Sequence, residues 1–247
     1  MKKGTDKKQT GTVPLGIGPT SSRNGASAAV KSTEWSVLLS VIIFIFQWLL
    51  WGAWQYFAVP RLPAGTVMVL LDSTAVKCLF WAVPLVPLLY KYRAESYLAP
   101  GELFSPPFPW LACTVLLCAT TAFLYTVRLA SGLLNTHSIF DPMFIVFSVS
   151  AGVIEEFSFR GVYFNMQEPT IGFLPAALLN GASFTLYHYP GLLYGESWAQ
   201  LISWRALLIF VMGVVFSWML KKWRNLALNM AVHTVWDILS YLFCLAG

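Results

Sequence analysis

The run Val149-Ser-Ala-Gly-Val-Ile-Glu-Glu-Phe-Ser-Phe-Arg-Gly161 places two adjacent glutamates, Glu155 and Glu156, inside a segment that is apolar enough to cross a membrane. A charged side chain at the centre of a bilayer costs at least ~2.5–3.5 kcal/mol on insertion scales. Two neighbouring carboxylates at that depth therefore need a physical reason, and this reason is the best clue to the function of the chain.

The composition around this run is that of a membrane protein. The chain has 247 residues, of which 57% are hydrophobic and 11% are charged, whereas soluble domains carry about 25% charged residues. We therefore predict an all-α, polytopic bundle of transmembrane helices over residues 34–247. Residues 1–33 are rich in Lys, Gly, Ser and Thr, which predicts a disordered basic tail. This tail lacks the apolar core of a signal peptide, so the first hydrophobic segment should remain as an anchor.

Seven segments approach the length of about 20 apolar residues that a transmembrane helix needs, and six to eight spans are compatible with the pattern. The predicted spans are residues 36–58, 67–90, 110–130, 143–166, a fifth span that ends near residue 189, 204–220 and 226–245. The connection over residues 190–202 is either a loop or an interfacial helix.

The distribution of Lys and Arg predicts the orientation of these spans, because cytoplasmic loops are enriched in both residues. If the N-terminal tail is cytoplasmic, eleven Lys and Arg residues lie on the cytoplasmic side of the membrane and three lie on the other side. The eleven are Lys2, Lys3, Lys7, Lys8, Arg23, Lys31, Lys91, Arg93, Lys221, Lys222 and Arg224, and the three are Arg61, Arg128 and Arg205. We expect a cytoplasmic N-terminus, an external C-terminus and, in a bacterium, the plasma or inner membrane.

The net charge of +5 does not indicate a nucleic-acid partner, since the basic residues flank apolar segments instead of forming a patch with polar recognition residues. The expected surroundings are membrane lipid. All four cysteines lie in apolar segments without a Cys-x-x-Cys pair, which favours buried free thiols over disulfides or a zinc cage.

Helical spacing separates the two glutamates. Glu156 and Arg160 are four residues apart and share a helix face, in the order that favours an ion pair. Glu155 points about 100° away, and Gly152 one turn earlier should leave room beside it. This interpretation makes Glu155 the carboxylate free for chemistry and Glu156 a structural partner of Arg160.

Two of the three histidines, His188 and His233, are predicted to lie at about the same membrane depth as Glu155, in other spans. Phe184 and His188 are four residues apart, as are His233 and Asp237, so each pair shares one helix face. Counted from the predicted helix ends, His188 and Glu155 lie ~20 Å from the same membrane face, and His233 lies ~17 Å from it. We therefore expect these ionisable groups to converge.

Two further features follow from the same spacing arguments. Pro169 and Pro175 are predicted to bracket a break between the fourth and fifth spans. Lys77 and Asp72 in the second span are five residues apart and do not share a face, which favours structural roles for both.

Three motifs resemble those of the CPBP family of type II CAAX prenyl endopeptidases and bacterial relatives linked to bacteriocin processing or immunity. They are Glu155-Glu156-x-x-x-Arg160-Gly161, Phe184-x-x-x-His188 and His233-x-x-x-Asp237, within a resemblance that covers residues 143–244. The resemblance implies a glutamate-type intramembrane protease that uses no cofactor. Its substrate would be a protein or prenylated peptide, cut near its C-terminal tail.

The resemblance also implies a role for each residue. Glu155 would activate water with His188 as its partner, Glu156 and Arg160 would support them, and His233 with Asp237 would stabilise the oxyanion. Many members of the family have Asn at the last position. Because an ionised Asp cannot donate a hydrogen bond, we expect Asp237 to orient His233 and to leave His233 as the donor.

Three other functions remain compatible with the sequence. Glu155, His188 and His233 are a possible zinc-ligand set, although His-Glu-x-x-His is absent from the sequence. Ionisable residues at membrane depth also occur in proton- or ion-coupled transporters. A non-catalytic immunity or assembly protein on the same scaffold is the third alternative.

Overall fold

A computed structural model describes residues 22–63, 65–130 and 142–242, and these residues build a bundle of seven helical segments. Helix α1 comprises Ser22–Ala53, the π-helical turn Trp54–Ala58 and the 3-10 turn Val59–Arg61. Helix α2 comprises Thr66–Leu71, the π-helical turn Asp72–Val76, Lys77–Trp81, the 3-10 turn Val83–Leu85 and Val86–Lys91. Helix α3 is Trp110–Ala130, and α4 comprises Pro142–Glu156, the π-helical stretch Phe157–Phe164 and Asn165–Ile171. Helices α5, α6 and α7 are Phe173–Tyr187, Trp204–Trp223 and Leu226–Leu242.

Four of these helices are long and apolar enough to cross a membrane by length and composition, which makes the chain a multi-pass integral membrane protein. They cover Trp35–Arg61, Val67–Lys91, Trp110–Val127 and Trp204–Trp223. The predicted all-helical bundle is confirmed, whereas length and composition support four of the seven predicted spans. The described helix bounds agree with the predicted segments to within a few residues at most ends. Cys78, Cys113 and Cys118 are free thiols as predicted, but of the three only Cys113 is buried, and Cys118 is exposed. Cys244 lies outside the described residues.

The first helix extends into the segment that the sequence predicts to be a tail. It begins at Ser22 and therefore includes residues 22–33. Three alanines in this stretch favour the helical conformation, and extending an existing span requires no new helix nucleus. The remainder of the predicted tail, residues 1–21, lies outside the described residues.

The turn between α4 and α5 lies at Gly172, between Pro169 and Pro175 as predicted, although neither proline itself ends a helix. Gly172 has a φ of +79°, a conformation that suits glycine. Pro175 lies in the first turn of α5, where its missing N–H removes no helical hydrogen bond. Pro169 lies inside α4, and the Asn165 carbonyl oxygen that it leaves without a helical partner accepts the Tyr97 N–H at 2.9 Å.

Three connections meet at one end of the bundle, as alternating spans require. The Leu226 N–H at the start of α7 donates to the Leu103 carbonyl oxygen between α2 and α3, at 2.8 Å. Lys221 Nζ near the end of α6 lies 2.5 Å from Glu168 Oε1 near the end of α4. The α2–α3, α4–α5 and α6–α7 connections therefore share one side of the bundle.

At the opposite end, the connection between α5 and α6 consists of two 3-10 turns, Pro190–Tyr194 and Trp198–Ile202. Trp198 and Ile202 are exposed, so this connection carries apolar side chains on its surface.

Glycines allow two pairs of helices to approach closely around the site. A Cβ added at Gly213 on α6 would come within 2.6 Å of the Gly181 Cα on α5. A Cβ added at Gly152 on α4 would overlap Thr234 Oγ1 on α7 and lie 3.0 Å from the Met230 carbonyl oxygen. The prediction that Gly152 leaves room beside Glu155 is therefore wrong: the missing side chain admits the backbone of α7, as small residues commonly do between membrane helices.

Candidate active site

The carboxylate of Glu155 is buried where α2, α4, α5 and α7 meet, and one of its oxygens has two hydrogen-bond donors. Lys77 Nζ on α2 lies 2.5 Å from Oε1, and the Tyr187 hydroxyl on α5 donates to the same oxygen at 3.2 Å. Glu155 therefore has a charged partner that the spacing within its own helix does not reveal. Helical spacing compares residues on one helix only, whereas this partner is 78 residues earlier in the chain.

The other oxygen, Glu155 Oε2, is buried and has no hydrogen-bond partner among the described residues. It lies 3.9 Å from His188 Nε2 and 3.7 Å from His233 Nε2. The predicted convergence of these three groups from three helices is confirmed. A carboxylate oxygen and two imidazole nitrogens thus face one another without direct hydrogen bonds.

The hydrogen bond on the far side of the His188 ring fixes its tautomer. His188 Nδ1 lies 2.8 Å from the Phe184 carbonyl oxygen, which can only accept, so Nδ1 carries a proton. In the neutral ring Nε2 is then an acceptor and faces Glu155. The Phe184 ring packs edge-on against the imidazole at a centroid distance of 4.7 Å, as the spacing of these two residues predicts.

Glu156 has a wider role than the sequence indicated. Its Oε1 accepts from Arg160 Nη1 at 3.0 Å, as predicted, and lies 2.8 Å from His233 Nδ1. Its Oε2 accepts from Asn229 Nδ2 at 3.3 Å. Glu156 therefore joins α4 to α7 and holds His233 with Nε2 directed towards Glu155.

Arg160 is fully buried between two aromatic rings. Its guanidinium carbon lies 4.3 Å from the centroid of Phe184 and 5.1 Å from that of Phe216. Arg160 Nη2 also donates to the Gly213 carbonyl oxygen at 3.3 Å, at the close contact between α5 and α6. This charge thus stabilises Glu156 while it fixes the rings that pack on both histidines.

Asp237 does not orient His233 in the way that the sequence analysis expected. Asp237 Oδ2 lies 3.8 Å from His233 Nε2, which is beyond a hydrogen bond. The carboxylate that holds the ring is Glu156, on a different helix. Asp237 remains at the edge of the site, with 24% of its side chain exposed.

Lys77 and Asp72 have separate partners, and only Lys77 reaches the site. Asp72 accepts from Trp54 Nε1 at 2.5 Å and from Gln55 Nε2 at 3.2 Å, which ties α2 to α1. Sequence reasoning noted Lys77 as a charge within a span but did not place it at the site. It missed Tyr187 altogether, because a tyrosine near a helix end carries no distinguishing signal.

Among the described residues, no group of three or more His, Cys, Asp and Glu side chains is arranged to hold a metal ion. The ammonium of Lys77 also lies against Glu155, the proposed anionic ligand of the zinc alternative, and a second cation beside it would be repelled. Each imidazole nitrogen lies less than 4 Å from Oε2, so a water molecule about 2.8 Å from that oxygen can also lie within hydrogen-bond distance of a ring nitrogen.

Residues 137–239 match the family described as Type II CAAX prenyl endopeptidase Rce1-like. Neither the curated proteins nor the solved structures gave a match. The matched residues include all three motifs and exclude α1, α2 and α3. Residues 137–239 are therefore a domain of the Rce1-like type II CAAX prenyl endopeptidase family.

Proposed function

We propose that the protein is an intramembrane endopeptidase that hydrolyses a peptide bond near the C-terminal tail of a membrane-associated or lipidated substrate. The observation that carries this proposal is the placement of Glu155 Oε2, buried and 3.9 Å and 3.7 Å from the Nε2 atoms of His188 and His233. Family membership supports the same reaction class.

In the proposed reaction, Glu155 Oε2 takes a proton from a water molecule while the water oxygen attacks the scissile carbonyl carbon. His188 Nε2 accepts the second hydrogen of that water and so orients it. The proton held by Glu155 then passes to the leaving amine as the carbon–nitrogen bond breaks. General-base assistance of this kind is typically worth 10²–10⁴-fold in rate.

His233 is the proposed donor to the oxyanion of the tetrahedral intermediate. In the imidazolium form its Nδ1–H donates to Glu156 and its Nε2–H is available to the oxyanion. Carboxyl oxygens of Glu155, Glu156 and Asp237 lie within 3.8 Å of its ring nitrogens and would balance that charge. A donor aimed at an oxyanion in a water-poor site contributes ~3–4 kcal/mol.

The pattern of exposure indicates where a substrate would enter. The side chains of His188 and Asp237 are 26% and 24% exposed, whereas those of Glu155 and His233 are 6% and 4% exposed. A peptide would therefore approach past His188 and Asp237. The aromatic rings of Trp81, Phe159 and Tyr187 pack against one another behind Glu155 and exclude water there.

We also propose that all seven helices span the membrane, with a cytoplasmic N-terminus and an external C-terminus. The shared end formed by the α2–α3, α4–α5 and α6–α7 connections supports this alternation, and the excess of Lys and Arg predicts that this end is cytoplasmic. Cysteine labelling from each side of sealed vesicles, at Lys91 and at Arg205, tests the assignment.

The catalytic proposal is tested with the protein reconstituted in lipid vesicles. Prenylated peptides and peptides that copy C-terminal membrane tails are offered, and products are identified by mass spectrometry in water enriched in oxygen-18. We expect one oxygen-18 atom in the new carboxyl group. Glu155→Gln should lower kcat by about 10²–10⁴-fold, whereas Glu102→Gln, which alters a half-exposed carboxylate far from the site, should not.

Cleavage that continues unchanged in Glu155→Gln would refute the proposal. Cleavage that stops on addition of a strong chelator and returns with zinc would favour the metal-dependent alternative. Substrate-independent proton uptake by the vesicles, abolished in the same variant, would instead indicate a transporter.

A further inference from the structure

We propose that Lys77 is a positioning residue of the hydrolytic site, which supplies the countercharge of Glu155 and determines which of its oxygens acts as the base. This inference rests on the proposed function of Glu155. Lys77 lies on α2, outside the residues that match the family, so the family comparison assigns it no role.

Among the residues that the structure describes, Glu155 is the one anionic partner of Lys77. Its ammonium lies 2.5 Å from Glu155 Oε1, and its side chain is 8% exposed. The same nitrogen lies 5.4 Å from the ring centroid of Tyr187 and 5.9 Å from that of Phe147. These apolar surroundings leave Glu155 as the group that compensates the lysine charge.

Local backbone geometry supports a dedicated site. The π-helical turn of α2 ends immediately before Lys77, and the π-helical stretch of α4 begins immediately after Glu156. Short π-helical segments inside α-helices are frequent at functional sites. The ion pair between Lys77 and Glu155 thus joins two helices at points where both leave regular α-helical geometry.

Charge balance explains why the site needs this residue. Arg160 balances Glu156, and a charged His233 would be balanced by Asp237. Lys77 is then the remaining fixed positive charge for Glu155, and without it the buried cluster carries an excess negative charge. An uncompensated buried carboxylate tends to take up a proton, and a protonated Glu155 cannot act as a base.

The two donors on Oε1 also distinguish the two oxygens of Glu155. Lys77 and Tyr187 both donate to Oε1, which leaves Oε2 directed at His188 and His233. A carboxylate held at one oxygen cannot rotate freely, so the oxygen that meets the water is always the same one. Within the described part of the chain, the charged and titratable groups that face Glu155 are Lys77 from α2, Tyr187 and His188 from α5, and His233 and Asp237 from α7, with Glu156 and Arg160 on its own helix.

The test compares Lys77→Met with Lys77→Arg in the reconstituted cleavage assay. We expect Lys77→Met to lower kcat by about 10–100-fold with little change in KM, the loss expected for a hydrogen bond to a charged group. The acid limb of its kcat–pH profile should move to higher pH, because Glu155 is more easily protonated without the lysine. Lys77→Arg keeps the charge and should restore the position of that limb. Lys91→Met is the matched control, since it makes the same change at an exposed position of the same helix.

A merely structural lysine would give a different result. If Lys77→Met cleaves with the kcat and pH profile of the wild-type protein, or loses activity only through a lower Tm that Lys77→Arg does not restore, the proposal is overturned.

A second measurement keeps this inference separate from the proposed function. Thermal unfolding is compared for Lys77→Met, Glu155→Gln and the double variant. The double variant should melt at a higher temperature than Lys77→Met alone, because it no longer buries an unpaired carboxylate. If no substrate is cleaved but this recovery is seen, the protease proposal fails while the charge pairing stands. A double variant that melts no higher than either single variant refutes the pairing itself.

Discussion

The substitution Glu156→Gln separates the structural and catalytic contributions of the second glutamate. It keeps the shape of the side chain and removes its charge. Arg160 is fully buried and loses its counter-ion, although the glutamine oxygen can still accept one hydrogen bond from its guanidinium. Removal of one member of a buried ion pair typically costs 3–5 kcal/mol, because the remaining charge stays buried without compensation.

The structure places the expected cost near the lower end of that range. The rings of Phe184 and Phe216 lie 4.3 Å and 5.1 Å from the Arg160 guanidinium and continue to stabilise the cation. We expect a loss of about 3 kcal/mol. At about 2–4 °C per kcal/mol for a chain of this size, Tm should fall by about 6–12 °C.

The assay is thermal unfolding in detergent, with kcat measured below the transition. The double substitution Glu156→Gln with Arg160→Met removes both charges and should recover most of the lost Tm. It should not recover kcat, because His233 Nδ1 has lost its carboxylate partner in both variants, and we expect kcat to stay about tenfold low.

Two results would contradict this reasoning. A Tm for Glu156→Gln within about 2 °C of the wild-type value would show that Arg160 does not depend on this carboxylate. Full recovery of kcat in the double variant would show that Glu156 serves Arg160 alone and not His233.

Three further predictions follow from the same contacts. Gly152→Ala should lower stability by about 1–3 kcal/mol through overpacking between α4 and α7, and adding Thr234→Ala should return part of the loss in an unfolding experiment. Tyr187→Phe should lower kcat by about 2–10-fold, the worth of one hydrogen bond to Glu155, and an unchanged kcat would mean that this hydroxyl does not hold the carboxylate. Asp237→Asn should leave kcat within about threefold of the wild-type value, because this carboxylate makes no hydrogen bond to His233 and solvent screens its charge at the partly exposed edge of the site. A larger loss would restore the orienting role that the sequence suggested.

Contacts within one helix could be predicted from the sequence. The pairs Glu156–Arg160 and Phe184–His188 follow from a spacing of four residues, since helix geometry brings such side chains together whatever the rest of the fold does. The meeting of Glu155 with both histidines was also predictable, because the lengths of the spans fix the depth of each residue.

Contacts between helices that are distant in sequence could not be predicted in this way. The position of Lys77 opposite Glu155 depends on how α2 rotates and packs against α4, and spacing along one helix carries no information about that rotation. Gly152 illustrates the same limit, because a missing side chain is equally compatible with space for a neighbouring group and with close approach of another backbone. Pro169 stays inside α4 because a distant N–H, that of Tyr97, satisfies the carbonyl oxygen that the proline leaves without a partner.

The order of the charged residues along the chain has a consequence for biosynthesis. In the proposed topology, α2 enters the membrane before α4, so the ammonium of Lys77 is already present when Glu155 arrives. Arg160, the counter-ion of Glu156, follows it one helical turn later in the same helix. Each carboxylate can therefore be neutralised as it is inserted, although an isolated charge at this depth would cost at least ~2.5–3.5 kcal/mol. His233, the last of the site residues to be synthesised apart from Asp237, enters a charge cluster that is already balanced, so hydrolytic competence is acquired only after α7 has been inserted.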